Sequence, residues 1–365
     1  MKYFFIAGEA SGDLHASNVI RELILLDDDA QIEAWGGDLM ANAGATLHKH
    51  IGDLAFMGFV EVLANLPQIL KNFNSCKTQI KTFQPDVVVL VDYPGFNLRM
   101  ATWAKKAGFK VLYYISPTVW AWKENRIEII RRSVDRMICI LPFEKAFYAE
   151  RGIEVDFFGH PTVEVIDKER QKSNDESPGK TLALLPGSRK QEIKNMLPLM
   201  LEAVKDFHDV ELVIAQAPNL EDGIYEPYIQ GLPIRLEKGK TYEILAHAKA
   251  ALVTSGTATL ETALFEVPQV VCYKANALSY WIARMLVKVK FISLVNLIMN
   301  REVVREILQN ELTVEHLKNE AQRLLYDATY RDRLKSSYGE LKKLLGTQVV
   351  SLQVAQQLYQ LASKK

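Results

Sequence analysis

Short, largely apolar runs separated by turn residues set the rhythm of this chain. Tyr3–Ala7, Ile32–Trp35, Asp86–Val91, Val111–Ile115 and Met137–Leu141 mark the first half, with a shorter candidate at Phe157-Phe158. Thr181–Leu185, Leu212–Ala215, Ile234–Leu236, Ala251–Val253 and Gln269–Tyr273 mark the second. Runs without polar alternation suit strands of a parallel sheet covered on both faces. Helical spacing follows many of them, as in Leu14–Leu26, Thr241–Ala248 and Ala258–Phe265. The pattern predicts an α/β fold in which both halves follow one β-turn-α plan, with no fixed-period repeat.

Ala250–Val271 is the clearest of these units: a strand, the small-residue turn Thr254-Ser255-Gly256-Thr257, a helix, and a second strand after Pro268. The helix N-terminus of such a βαβ unit offers N–H groups to an anion. Glu261 lies one turn beyond Thr257 on the same helix face, and its side chain leans toward that terminus. A carboxylate there suits ribose hydroxyls, and the plain alternative is an exposed Glu on a helix start.

Three other strand ends carry polar groups. Glu9, Ser11 and Asp13 follow the first strand, where ligand contact and helix capping are both open readings. Asp92 ends the run Asp86–Val91 beside Pro94-Gly95, in a position for general-base work or for forming the turn itself. Pro186-Gly187-Ser188-Arg189 precedes another helix. Ser188 with Gln191 reads as a capping box. Arg189, taken as part of the first turn, opposes the helix dipole and makes more sense with an anion beside it.

The aromatic and apolar stretches outside the strands suggest a greasy partner. Leu54–Phe73 has only Glu61 and Lys71 charged, and reads as core or as a groove. Ser116–Trp122 places Trp120 and Trp122 before Lys123, Arg126, Arg131 and Arg132, a pattern for a membrane surface, an anionic sugar-lipid, or a packed pair beside a solvated face. Leu278–Asn300 is amphipathic, with Tyr280, Trp281, Arg284, Lys288 and Lys290, and Phe291–Leu297 reads as extended or loop-like. Gly159-His160-Pro161 and the polar run Lys168–Lys180 punctuate the middle of the chain.

Composition narrows the classes. The 365 residues are 48% hydrophobic and 24% charged, as in a globular protein of two domains. Forty-four basic and 44 acidic residues cancel, so no nucleic-acid partner is expected. Cys76, Cys139 and Cys272 have neither disulfide nor metal spacing and fit a reducing compartment. The N-terminal residues carry no export signal. Val111–Trp122, an uncharged and largely apolar run, contains Pro117 and is too short to span a bilayer, so a cytoplasmic protein is expected.

The motifs together resemble the lipid-A-disaccharide synthase family, bacterial glycosyltransferases of the GT-B type. The resemblance rests on AGEASGD (7–13), MGFVEVL (57–63), DYPGFN (92–97), SPTVWAW (116–122), LPFEKAFY (141–148), GHP (159–161), LLPGSR (184–189), SGTATLE (255–261), ISLVNL (292–297) and LQNE (308–311). These cover the chain nearly end to end in family order. Gly95 stands where the family often has a second Asp, and Val295 where it commonly has Pro.

What the resemblance implies is specific. Two Rossmann-like domains face a cleft: 1–165 for the acceptor and 166–340 for the UDP-sugar, with a helical tail 341–365 returning to the first. A diacylglucosaminyl group passes, with inversion, from UDP-2,3-diacylglucosamine to 2,3-diacylglucosamine 1-phosphate, forming a β(1→6) disaccharide and UDP. Asp92 is the expected base, with Glu9 as the alternative. Gly187, Ser188, Arg189, Ser255, Gly256, Thr257 and Glu261 would hold the nucleotide-sugar. Ser11, Met57, Glu61, Trp120, Asn296 and Gln309 would meet the acceptor and its chains. No metal or other cofactor is expected, and the enzyme would sit on the cytoplasmic side of the inner membrane as a peripheral protein. A UDP-sugar epimerase of the same architecture and a non-catalytic nucleotide-sugar or lipid-binding module are the competing readings.

Overall fold

A computed structural model describes residues 1–54, 66–122, 124–172, 179–274 and 290–364. They form two units, Met1–Pro161 with Gln348–Lys365, and Thr162–Thr347. The first carries strands β1 (Lys2–Ala7), β2 (Gln31–Gly36), β3 (Thr46–His50), β4 (Val87–Val91), β5 (Lys110–Tyr114), β6 (Arg136–Cys139) and β7 (Asp156–Phe157). The second carries β8 (Thr181–Leu185), β9 (Glu211–Gln216), β10 (Ile234–Lys238), β11 (Ala248–Thr254), β12 (Gln269–Tyr273) and β13 (Arg305–Leu308). Every neighbouring pair is parallel.

Both sheets follow one plan. The first has the order β3-β2-β1-β4-β5-β6-β7 and the second β10-β9-β8-β11-β12-β13. In each, the chain adds two strands to one side of its first strand, then returns and builds away on the other. The order therefore reverses between β1 and β4, and between β8 and β11. Connections diverge there and leave a crevice at the carboxyl ends of the strands, the usual ligand position in open α/β sheets.

Apolar runs became strands because each sheet is covered on both faces. Tyr3, Phe5 and Ala7 join a cluster with Ala16, Val19, Ile20 and Leu23 of the helix Ala10–Leu26. Phe4 and Ile6, pointing the other way, join Cys76 and Ile80 of the helix Leu66–Phe83 and Leu98 to Ala104 of the helix Pro94–Lys106. Alternate residues of one strand thus enter two separate cores.

The unit boundaries depart from those drawn on the sequence. Residue 165 falls inside the helix Pro161–Lys172, which is tied to the second unit by Lys342 to Asp167 at 2.6 Å and by Arg170 to the Leu264 carbonyl at 3.3 Å. Residue 340 falls inside the helix Ala328–Leu345, which runs on to Gly346. The helix Val350–Ser363 then adds Val350, Val354, Ala355 and Leu358 to the cluster around Tyr3 and Phe5. Phe291–Leu297, expected to be extended or loop-like, contains most of the helix Leu294–Met299, because the Ser293 hydroxyl accepts the Asn296 amide at 3.2 Å and starts a helical turn.

Asp13 is part of this framework. Its buried carboxylate accepts the backbone amides of Gly37 at 2.8 Å and of Leu39 and Met40 at 3.1 Å, which caps the helix Asp38–Asn42. It holds the connection after β2 rather than a ligand. Asp13→Ala is expected to lower unfolding free energy by about 3 kcal/mol in urea titration, because three amides lose a charged acceptor. A loss under about 1 kcal/mol would mean that water replaces the carboxylate without cost.

Candidate active site

The first unit brings Glu9 and Asp92 to the β1/β4 reversal. Glu9 follows β1 and is exposed as the residue preceding the helix Ala10–Leu26, with no side-chain cap of its own. Ser11 lies exposed in that helix's first turn. Asp92 follows β4, adjacent to β1 in the sheet. Burial first, and the nearby Glu9 charge second, push the Asp92 carboxyl up to about 6, against the lowering effect of the Tyr93 amide.

The backbone that aims Asp92 is strained. Asp92 and Tyr93 both occupy the left-handed region, at φ +46° and +47°, a region that residues with a Cβ rarely visit. Asn97, one turn into the following helix, holds them there. Its side-chain amide faces the carbonyls of Ile6 at 3.2 Å, Val91 at 3.2 Å and Asp92 at 2.8 Å. The Tyr113 hydroxyl donates to the same Asp92 carbonyl at 2.6 Å. Tyr93 then lays its ring against Gly8, where an added Cβ would overlap the ring carbons. The ring continues onto Phe96 at 5.7 Å, and Phe96 onto Trp35 at 5.7 Å. Gly8, three residues before Ser11, is therefore needed for close approach, which links AGEASGD to DYPGFN.

Beyond β5 the segment Ser116–Trp122 is fastened to the helix Pro142–Ala149. Ser116 and Tyr148 share a hydrogen bond at 2.8 Å, and Trp120 donates its indole N–H to Glu144 at 3.2 Å. Glu144, buried, also accepts the amides of Ile140 at 3.2 Å and Leu141 at 2.9 Å. Burial still pushes its carboxyl up to about 7. Trp120 is half-buried against Phe143, whereas Trp122 is 41% exposed.

The second unit gathers its candidates at the β8/β11 reversal. Gly187, Ser188 and Arg189 follow β8; Ser255, Gly256 and Thr257 follow β11, paired with β8. The helix after β8 begins at Lys190, so Arg189 is the residue preceding it and not part of its first turn. Its capping partner is Glu192 rather than Gln191: one Glu192 oxygen accepts the amides of Ser188 at 2.9 Å and Arg189 at 3.2 Å. The Arg189 guanidinium stays 67% exposed, 3.9 Å from the other Glu192 oxygen. Glu192 was legible in the spacing, three residues past Arg189, had the helix start been placed one residue later.

Gly256 adopts φ +156° and ψ −164°, a conformation open essentially to glycine, with empty space on the side where a Cβ would lie. Thr257 opens the helix Thr257–Leu264, and Glu261 follows on its next turn. Tyr242 donates its hydroxyl to Glu261 at 3.0 Å, and burial raises the Glu261 carboxyl above its ordinary range. Ser255 donates to the Ile292 carbonyl at 3.2 Å. The amides of Ile292 and Ser293 are held at 3.0 Å by Glu306.

Asn296 has a different role from the one expected. Its amide donates to the Val304 carbonyl at 2.8 Å and Glu306 at 2.9 Å, and its oxygen accepts Val303 at 2.7 Å and Val304 at 2.9 Å. All four hydrogen-bonding positions are filled from within, so none remains for an acceptor. Gln309 sits at the carboxyl end of β13 with φ +51°. Met57 and Glu61 lie outside the described residues, as do Lys123 and most of Leu278–Asn300. Among the described residues no cluster of His, Cys, Asp or Glu is arranged to hold a metal ion.

Comparison with known proteins gives the family and agrees with the fold. Residues 3–360 match the family described as lipid-A-disaccharide synthetase. A lipid-A-disaccharide synthase of Anaeromyxobacter dehalogenans (strain 2CP-C) is 40% identical, covering 97% of this chain and 95% of its own. One from Nitrosococcus oceani is 40% identical, over 93% of this chain and 91% of its own. Among solved structures, UDP-GlcNAc 2-epimerase from Neisseria meningitidis bound to UDP-GlcNAc superposes with a TM-score of 0.67 at 12% identity, covering 99% of this chain and 100% of its own. CalG4, the calicheamicin glycosyltransferase, gives 0.61 at 15% identity, with 100% and 98% coverage. Glycosyltransferases and epimerases thus share the fold.

Gly8→Ala tests the first-unit geometry. The new methyl must displace the Tyr93 ring and with it the turn that aims Asp92. Turnover is expected to fall at least tenfold while UDP affinity holds. Full activity in that variant would show that the Gly8–Tyr93 contact does not position the carboxylate.

Proposed function

We propose a base, a leaving-group cradle and a substrate pair for this chain, on the premise that it belongs to the lipid-A-disaccharide synthetase family. It is accordingly a glycosyltransferase that uses a UDP-sugar and a lipid acceptor. The donor in our reading is UDP-2,3-diacylglucosamine and the acceptor 2,3-diacylglucosamine 1-phosphate. The acceptor 6-hydroxyl attacks the donor anomeric carbon from the face opposite UDP. Asp92 takes the hydroxyl proton, the bond to the diphosphate breaks, and a β(1→6) disaccharide 1-phosphate forms with inversion.

Asp92 carries the reading. A carboxyl raised to about 6 is largely ionised at neutral pH yet more basic than an ordinary aspartate, which suits a proton acceptor. Glu9 both raises it and stands beside it as an acceptor-positioning group. On the donor side, Arg189 and the Ser255–Thr257 turn meet the diphosphate as charge develops. Glu261 accepts ribose hydroxyls with the oxygen that Tyr242 leaves open. Incubation with the UDP-sugar, with and without the acyl-sugar phosphate, tests the whole. Disaccharide is expected only with both; an epimer, or no product, rejects the reaction.

Asp92→Asn is expected to reduce turnover by about 10²–10⁴ with little change in UDP affinity. In the wild type the rate should fall as pH drops through about 6, where Asp92 protonates. Glu9→Gln removes one of the two causes of the raised value, so its acid limb should move to lower pH. The sign for stability is opposite to that for activity. Because the folded value exceeds the ordinary 3.8, ionising Asp92 costs stability above about 6 and nothing below 3.8. Asp92→Asn should therefore melt higher than wild type at pH 8, with the gap closing toward pH 4. If Asp92→Asn stays active and Glu9→Gln is dead, the two roles are exchanged.

Arg189→Ala should cost about 10²–10³ in turnover without loss of fold, as expected for one lost cation at a leaving group. Near-normal turnover in a folded variant would take Arg189 out of the site.

The lipid substrates place the work at a membrane surface, and we assign contact with the inner membrane to the first unit. Trp122 and Ile129 are exposed beside Arg131 and Arg132, with Arg126 5.8 Å from the Trp122 ring. No described helix is long and apolar enough to cross a bilayer. Sedimentation with anionic vesicles should show association that weakens as salt rises. Absence of binding at low salt would count against this face.

A further inference from the structure

A cavity of about 340 Å³ lies in the second unit, apart from the loops assigned to the nucleotide. Arg301, Arg305, Arg323 and Arg333 line it, with Tyr330 in the wall and Glu302 as its one carboxylate. Arg305 opens β13, while Gln309 follows that strand's other end; at the usual rise the two lie more than about 10 Å apart along it. The cavity is therefore near the amino end of β13, opposite the edge where Ser188 and Ser255 lie.

The charge on this wall is uneven. Arg301 pairs with Glu340 at 2.6 Å, Arg323 with Glu320 at 2.9 Å, and Arg305 with Glu311 at 3.2 Å and Glu302 at 3.4 Å. Glu340, Glu320 and Glu311 reach these cations from outside the lining. The lining itself holds four guanidiniums and one carboxylate, and the three further carboxylates that reach in are each taken up by Arg301, Arg323 or Arg305. Among the described residues, Arg333 has no carboxylate within ion-pair distance; its guanidinium lies 5.0 Å from the Tyr330 ring centroid. A solvated salt-bridge network accounts for the three paired arginines and leaves Arg333, on the Tyr330 ring, as the one without a carboxylate among the described residues.

We propose that this cavity is a second ligand site, which takes a small phosphorylated anion such as a diphosphate or a sugar phosphate. Several planar guanidiniums around one space match the spread oxygens and multiple charge of phosphate. The volume is at the small end of ligand pockets, roughly 300–1,000 Å³. Arg323, 4.0 Å from the Tyr330 centroid, and Arg333 already cover that ring, so it offers no stacking platform to a nucleobase. The ligand is then recognised by its phosphate and not by a base.

Calorimetric titration with inorganic pyrophosphate, in saturating UDP to fill the nucleotide loops, tests this directly. One further equivalent is expected to bind the wild type, with Arg189→Ala unaffected and Arg333→Gln at least about tenfold weaker. Arg301→Gln, also at an exposed position, should weaken binding in the same direction and serves if Arg333→Gln does not fold. Arms with and without phosphatidylglycerol vesicles identify the source. Competition by vesicles assigns the anion to a lipid headgroup, and none assigns it to a free phosphate. The proposal is overturned if no pyrophosphate binds in the presence of UDP, or if binding is lost in Arg189→Ala and kept in Arg333→Gln. Should UDP itself fail to bind, the Arg333 and Arg301 variants alone still decide this site.

Discussion

Two adjacent residues with side chains cannot rest in the left-handed region for nothing; such positions cost on the order of 1–3 kcal/mol each. At Asp92 and Tyr93 the first unit meets that cost through Asn97, whose one amide group reaches three carbonyls on β1 and at the end of β4, and through Tyr113 on β5. The consequence is directional. A chain leaving β4 in ordinary conformation would send residue 92 elsewhere. The strained turn instead sets a carboxylate at the β1/β4 reversal, within electrostatic reach of Glu9. The aromatic run from Tyr93 through Phe96 to Trp35 ties the same turn to the core, so strain at the site and packing beneath it are a single arrangement.

Much of this was legible in the sequence. Strands covered on both faces are apolar nearly throughout, which is why the central strands of both sheets could be read directly. The edge strands β3 and β13, partly exposed and carrying polar residues, went unread, although the equally exposed edge strand β10 was read from Ile234 and Leu236 on either side of Arg235. Turns rich in Gly, Ser and Pro marked the strand ends where ligands bind. The topological reversals that make two of those ends special depend on strand order, which no local pattern carries. Family motifs supplied the reaction; spacing and composition reached only as far as anion-binding helix starts and a base beside a turn.

The harder distinction was between a polar side chain waiting for a ligand and one already serving the main chain. Asp13, Glu144, Glu192 and Glu306 all accept backbone amides, and each lies in or beside a motif with chemical promise. Asn296 is likewise filled from within. In one sequence these look the same as Asp92, since the residue types and turn contexts agree. What separates them is the count of donors each meets after folding. Glu144 has three such N–H donors, two from the main chain and one from Trp120, and burial still outweighs them. Asp92 has the Tyr93 amide alone against burial and a like charge.

The helix Val350–Ser363 closes the core beneath β1, and this has a bearing on how the molecule is made. Val350, Val354, Ala355 and Leu358 pack with Tyr3 and Phe5, so β1 waits for a helix that is translated after the whole second unit. Thr162–Thr347, by contrast, holds both ends of its own sheet in one continuous stretch. The second unit can be complete while the first, begun earlier, still has an open face. In this chain the half that is translated first is finished last.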